Sequence, residues 1–239
     1  MDKMEKIKEK FKKLKLELTD QQAVKFFQYY EFLVEKNKVM NLTAIVDFDE
    51  VILKHFIDSL MIHQIVIPKG RLIDVGTGAG FPGIPLKIIY PDLDVVLLDS
   101  LNKRVQFLNE VIQKLGLEKI IAIHGRAEDL AKKDNYREQF DFCVSRAVAN
   151  LSTLSEYCIP FVRKEGFFIA YKSGKIQEEL ESGNRAINIL GGIIEEQREV
   201  LLPDTDVFRC IVKIRKTGYT PKKYPRKAGM PAKEPLCSK

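Results

Sequence analysis

The ten residues DVGTGAGFPG, Asp74 to Gly83, carry four glycines and follow the short run RLI. Glycine admits positive φ and has no Cβ, so a strand running into such a loop lets a ligand approach the main chain. Three ligand chemistries compete for it. A phosphate-binding loop needs GxxxxGK[ST]. Gly78 and Gly83 have the spacing, but Ile84 and Pro85 stand where Lys and a hydroxyl are required. A dinucleotide loop needs GxGxxG. Gly76 and Gly78 fit, yet Phe81 takes the third position, and the third glycine comes one residue early at Gly80. The pattern is therefore GxGxG with an acid, Asp74, before it. That suits S-adenosylmethionine (SAM), which has no pyrophosphate but needs backbone donors for its carboxylate and close approach for ribose and sulfonium. Asp74 is then expected to bind the ammonium of the ligand, and Phe81 to cover part of it. Pro82 fits a first helical turn, where N–H groups lack partners.

Three further groups follow in chain order. Asp99 ends the run DVVLLD, 23 residues after Gly76. An acid there accepts two ribose hydroxyls, or caps the next helix; NAD and SAM share the ribose, so it does not separate them. GRAEDL places Ala127 and Glu128 where backbone or carboxylate could meet an adenine edge, although an acid at a helix start is common. SRAVANL ends an apolar run on Arg146, expected to contact substrate or cofactor, the alternative being a structural ion pair. His55 and Asp58 lie three apart on one helix face and are expected to form an interior polar pair rather than substrate contacts.

The surrounding pattern supplies elements that could hold these groups. Residues 1–68 read helical. Ala23, Phe26, Phe27, Tyr30, Leu33 and Val34 form a stripe at helical spacing, with Thr19 or Asp20 as cap. A second helix is expected from Asp49 to Ile65. Strands are predicted at RLIDV, DVVLLD, KIIAIHG, FDFCVSR and GFFIAYK, separated by helices over Gly83–Tyr90, Leu101–Leu115 and Leu151–Val162. Repeated βα units imply a doubly wound, mostly parallel sheet covered on both faces. After a helix at Ile176–Leu190, GIIEEQREVLL and VFRCIVKIR have only PDTD between them and predict an antiparallel hairpin at the sheet edge. The expected fold is α/β and Rossmann-like, with a C-terminal antiparallel hairpin and an N-terminal helical extension. Its expected divisions are 1–68, 69–216 and 217–239. A parallel sheet ending this way is the layout associated with SAM methyltransferases.

Composition narrows the class. Apolar residues make up 45% and charged residues 30% of 239, an ordinary globular balance. No apolar run approaches the about 20 residues of a membrane span, and the charged start MDKMEKIKEK is unlike a secretory signal, so a cytoplasmic protein is expected. Cys143, Cys158, Cys210 and Cys237 form no CxxC pair and have no histidine at ligand spacing; reduced, mostly buried thiols and no metal are expected. The net charge is +6, but residues from Lys213 onward contribute +8 and residues 1–212 only −2. An anionic partner at the C-terminal segment is therefore expected, with Lys222, Lys223, Arg226 and Lys227 near phosphates and Tyr219 or Tyr224 stacking on bases. Lys36, Lys38 and Asn41 are expected beside the cleft.

Taken together, NLTAI (Asn41 to Ile45), HFIDSL, DVGTGAGFPGIPL, GRAED, SRAVA and YPRKAGMPAKEPL resemble the bacterial RsmG (GidB) family, which methylates N7 of a guanosine in 16S ribosomal RNA. The resemblance spans nearly the whole chain. It implies a class I methyltransferase fold, SAM as methyl donor, and 16S rRNA or the small ribosomal subunit as partner. Carried over by position, it implies cofactor contacts at Gly76, Phe81, Ala127, Glu128 and Arg146. Ala228 and Ala232 depart from the basic motif, which touches details of RNA contact. The residues alone leave other readings open: an NAD-linked oxidoreductase, a small-molecule methyltransferase, and a non-catalytic RNA-binding protein on the same fold. A monomer is expected.

Overall fold

The computed structural model describes residues 2–146, 149–174 and 176–236. Among them, seven strands form one sheet: β1 (Arg71–Val75), β2 (Asp94–Asp99), β3 (Ile120–His124), β4 (Phe140–Arg146), β5 (Val162–Ser173), β6 (Gly192–Leu201) and β7 (Phe208–Lys216). Their order is β3-β2-β1-β4-β5-β7-β6. The first five strands are parallel, and β7 runs antiparallel between β5 and β6. The expected terminal hairpin thus enters the sheet through its second strand, and β6 lies outside it.

Alternation along the central strands builds two separate cores. Leu72, Val95 and Leu97 face one side; Ile73, Val75, Val96 and Leu98 face the other. The first side is covered by the N-terminal helices, α4 (Gly83–Ile89) and α5 (Asn102–Lys114). The second is covered by α6 (Ala127–Leu130), α7 (Leu151–Cys158), α8 (Gln177–Ile189) and the chain after β7. A short α9 (Met230–Lys233) lies in that last stretch.

Two N-terminal helices, α1 (Lys3–Lys12) and α2 (Asp20–Met40), precede the sheet. Thr19 caps α2 through a reciprocal box: its hydroxyl accepts from Gln22 N at 3.2 Å, and Gln22 Oε1 accepts from Thr19 N at 3.0 Å. The buried stripe of α2 is Ala23, Phe26, Tyr29, Phe32 and Leu33. It is rotated from the expected one, leaving Phe27, Tyr30 and Val34 half-buried, because Phe26 and Tyr29 pack on Phe56 at 5.1 and 5.2 Å between ring centres. The helix expected from Asp49 to Ile65 is broken up. It starts as α3 (Phe48–Val51), widens into a π-helical stretch (Ile52–Ile57), and ends with a 3-10 turn (Met61–Gln64). Ile52, Phe56 and Ile57 enter the core along this stretch. Ile7, Phe11, Phe26 and Phe56 share one continuous core with Leu72, Ile169 and Ile211 of the sheet.

Candidate active site

The glycine loop follows β1 at the carboxyl edge of the sheet, where open α/β folds bind ligands. Its start is tied to β2: the N–H groups of Gly76 and Thr77 donate to Leu98 O at 2.9 and 3.2 Å. The glycines divide by purpose. At Gly78, φ is +62° and a Cβ would meet nothing within 4 Å, so backbone conformation and not packing calls for glycine there. At Gly80, a Cβ would come within 2.6 Å of the Tyr29 hydroxyl, so this glycine serves packing against α2.

Asp74 is fully buried beneath the loop. Its Oδ2 accepts from Thr77 Oγ1 at 2.6 Å and from Gly83 N at 2.8 Å, clamping both ends of the turn. Its Oδ1 is buried with no partner. Burial pushes this carboxyl up to about 7, against the opposing pull of Thr77 and Gly83. Asp99 ends β2 and is also buried. Gly78 N donates to Oδ2 at 2.8 Å, and Leu101 N to Oδ1 at 2.9 Å. Each oxygen therefore holds one backbone N–H, neither of them from within the following helix, and the neighbouring Ser100 lines the open cleft.

That cleft encloses about 350 Å³ between Gly76, Ser100, Ala127, Glu128, Tyr157 and Gly229. It brings together the glycine loop and GRAEDL, as expected. Glu128 Oε1 accepts from Gly229 N at 2.9 Å, which links the cleft to the C-terminal segment.

Phe81 and Arg146 lie elsewhere. The Phe81 ring is buried in the helical layer, stacked on His55 at 4.6 Å and 5.5 Å from Tyr29. It is not among the residues lining the cleft. Arg146 ends β4 with its guanidinium carbon 5.1 Å from the Phe81 ring centre. It donates to Asp58 Oδ2 at 3.1 Å and to the carbonyls of Lys54 and His55 at 3.2 and 3.4 Å. Arg209 Nε donates to Asp58 Oδ1 at 2.9 Å. Asp58 is thus held between two arginines, and the expected His55–Asp58 pair is replaced by separate bonds. His55 Nε2 instead meets Thr43 Oγ1 at 2.8 Å. Burial, then the Arg146 charge, push His55 down to about 4, so its ring is neutral near pH 7. Lys54, His55, Asp58, Arg146, Lys172 and Arg209 line a second hollow of about 280 Å³. Ala147 and Val148 of SRAVA lie outside the described residues.

The basic segment is only partly free for a partner. Lys222, Lys223 and Lys227 are exposed, as is Tyr219. Tyr224 is instead buried in the second core, which removes it as a base-stacking surface. Arg226 is also committed: it grips the fully buried Glu156 through Nε at 3.0 Å and Nη2 at 2.7 Å, and its own N–H adds a bond of 2.7 Å. Of the residues expected beside the cleft, none lines either hollow; Lys36 is spent on Glu110, whereas Lys38 and Asn41 are exposed.

Four structural charges escaped the sequence reading: Arg137, Glu138, Glu156 and Lys216. Arg137 donates to the carbonyls of Thr220 and Tyr224 at 2.8 and 2.9 Å. Lys216 is 1% exposed and donates to Glu138 and to Thr220 Oγ1 at 3.0 and 2.7 Å. Glu156 did leave a signal: an acid within an otherwise buried helix needs a cation, and the basic segment is rich in them. Cys143, Cys158 and Cys210 are buried and unpaired, and Cys237 lies outside the described residues. Among the described residues no cluster could hold a metal ion and no helix is long and apolar enough to cross a membrane.

Comparison with known proteins converges on one family. The model for GidB, rRNA small subunit methyltransferase G, matches residues 22–203. A ribosomal RNA small subunit methyltransferase G from Lachnoclostridium phytofermentans is 55% identical over 228 residues, covering 95% of this chain and 94% of that protein. Another from Desulforamulus reducens is 51% identical over 233 residues, covering 97% of each. Among solved structures, a putative sarcosine dimethylglycine methyltransferase from Galdieria sulphuraria is similar with TM-score 0.54 at 12% identity, over 72% of this chain and 88% of that one. TYW2 from P. horikoshii, in complex with MeSAdo, is similar with TM-score 0.52 at 13% identity, over 67% and 62%. At such identities these two likenesses speak to the fold, which is the class I methyltransferase fold. With the family model spanning most of the chain and relatives near half identical end to end, the chain belongs to the GidB family of rRNA small subunit methyltransferases.

Proposed function

We propose that this SAM-dependent rRNA methyltransferase places its methyl group on N7 of a guanosine in 16S rRNA, acting in the cytoplasm as a monomer. The observation that carries the reading is the pairing of two hollows at the carboxyl edge of one sheet. One is bounded by the glycine loop; the other carries Lys54, Arg146, Lys172 and Arg209 on its lining and lies across the end of β4.

The first hollow fits SAM. Gly76, with φ at +72°, Ala127 and the Glu128 carboxylate line it. Gly76, Gly78, Ala127 and Glu128 would hold the cofactor, with Asp74, Gly80 and Asp99 fixing the loop that contacts it. When bound, SAM supplies an electrophilic methyl group on a sulfonium. Guanine N7 has a free lone pair and no proton to lose, so the chain need not provide a general base. Its work is alignment and exclusion of water. Methylated guanine gains positive charge, which a bare cation beside N7 would oppose. Arg146 is suited to such a site because it is no bare cation: its N–H groups are taken by two carbonyls and by Asp58, which it shares with Arg209. Phe81 and His55 form a neutral stacked floor beneath it. Lys222, Lys223 and Lys227 would meet backbone phosphates, with Tyr219 stacking on a base. In this reading residues 1–68 cover the sheet, 69–216 bind the cofactor, and 217–239 contact RNA.

The test is transfer of labelled methyl from SAM to 16S rRNA, naked and in 30S subunits, from a strain lacking this modification. Label should map to a guanine N7; no label in either substrate ends the proposal. Gly76→Arg should abolish SAM binding, and an unchanged affinity would displace the cofactor from this cleft.

A further inference from the structure

The basic C-terminal segment lies along α7 and reaches the cleft at Gly229, which forms part of its lining. Five separate attachments hold it there. Lys216 anchors its start through Thr220, and Arg137 takes two of its carbonyls. Arg226 closes on Glu156, and Thr153 Oγ1 donates to Pro231 O at 3.0 Å. The last contact is the Gly229 N–H on Glu128, a residue at the mouth of the cleft itself. At Gly229 φ is +82°, and a Cβ there would meet nothing within 4 Å.

We infer that the segment over residues 226–234 closes one side of the cofactor cleft through Gly229, latched to it by Glu128, so that cofactor binding and docking of the C-terminal segment are thermodynamically linked. This rests on the reading that the cleft takes SAM. A ligand filling the space between Gly76 and Gly229 touches the segment only when it is docked. It therefore binds the docked form more tightly and shifts the segment toward it. By reciprocity, whatever favours docking tightens the cofactor by the same factor. The segment that carries Lys222, Lys223 and Lys227 is then a part of the cofactor site and not a separate RNA-binding tail.

The test is amide hydrogen exchange on the full chain with and without S-adenosylhomocysteine, its binding verified by calorimetry. Exchange should slow in residues 76–81 and also in 226–234. Slowing confined to 76–81 overturns the inference while leaving the cofactor assignment standing. Slowing in neither, with binding registered, removes both. A second arm uses Gly229→Leu, with a melting curve to establish that it folds. Its side chain should narrow the cleft and weaken S-adenosylhomocysteine by about tenfold or more. An unchanged Kd would overturn the inference.

Discussion

Replacing Arg226 by Ala separates a phosphate contact from a structural clamp. Glu156 is fully buried and takes three side-chain bonds from Arg226, at 3.0, 3.1 and 2.7 Å. Removing the guanidinium strands a carboxylate in the second core, with only the 2.7 Å bond from the Arg226 N–H left to it. Breaking a buried pair from one side costs about 3–5 kcal/mol. The surviving backbone bond places the expected loss near the lower end, about 3 kcal/mol. In a chain of this length that corresponds to a melting temperature lower by about 6–12 °C. Urea unfolding followed by far-UV circular dichroism would measure it. Glu156→Gln in the same chain should recover much of the loss, because the stranded group is then neutral. If Arg226 instead served a phosphate, unfolding would be unchanged. The slope of log K against log salt for rRNA binding would then fall by about 0.9. A variant within about 0.5 kcal/mol of the parent would refute the clamp.

Gly83→Ala should cost about 1–3 kcal/mol by overpacking, since its Cβ would press on Leu97 and come within 2.9 Å of Asp74 Oδ2; denaturant midpoints check this. Burial raises Asp74 from 3.8 to about 7, so between those values the folded chain keeps a proton that the unfolded chain has lost. Stability should therefore fall as pH rises through that window, by about 4 kcal/mol at most, and Asp74→Asn should remove this component. Identical pH profiles for parent and variant would count against it. In Arg146→Ala the repulsion on His55 disappears, so its pKa should rise above about 4 in an NMR titration.

Features set by local pattern were legible in the sequence. The runs RLIDV, DVVLLD and FDFCVSR coincide with β1, β2 and β4 because apolar, β-branched stretches bounded by loops have few other uses. Thr19 and Gln22 announce their cap within four residues. Features set by distant partners were not. Nothing near Arg226 indicates that Glu156, 70 residues away, will claim it, nor that Tyr224 will be buried. The loop position of Phe81 predicts a ring over the ligand, yet the ring packs on His55 and Tyr29 of the N-terminal region. The strand-end place of Asp99 is legible, but the backbone N–H groups of Gly78 and Leu101 that each of its oxygens holds are not. The glycine pattern located the cleft; it could not show that Gly80 is reserved for packing while Gly78 answers to backbone conformation.

The strand order has a further consequence at the margins of the sheet. Within the sheet β6 pairs with β7 alone, so its other backbone edge has no strand partner. Its sequence GIIEEQREVL sets Glu195, Glu196, Arg198 and Glu199 along that margin, and its pairing slips register between Ile194 and Glu196. The opposite margin, β3, is only five residues long. Charge, a slipped register and shortness each deny an incoming strand a flat template. The sheet is thereby guarded at both borders against edge-to-edge aggregation, without any surrender of the carboxyl edge where the two hollows open.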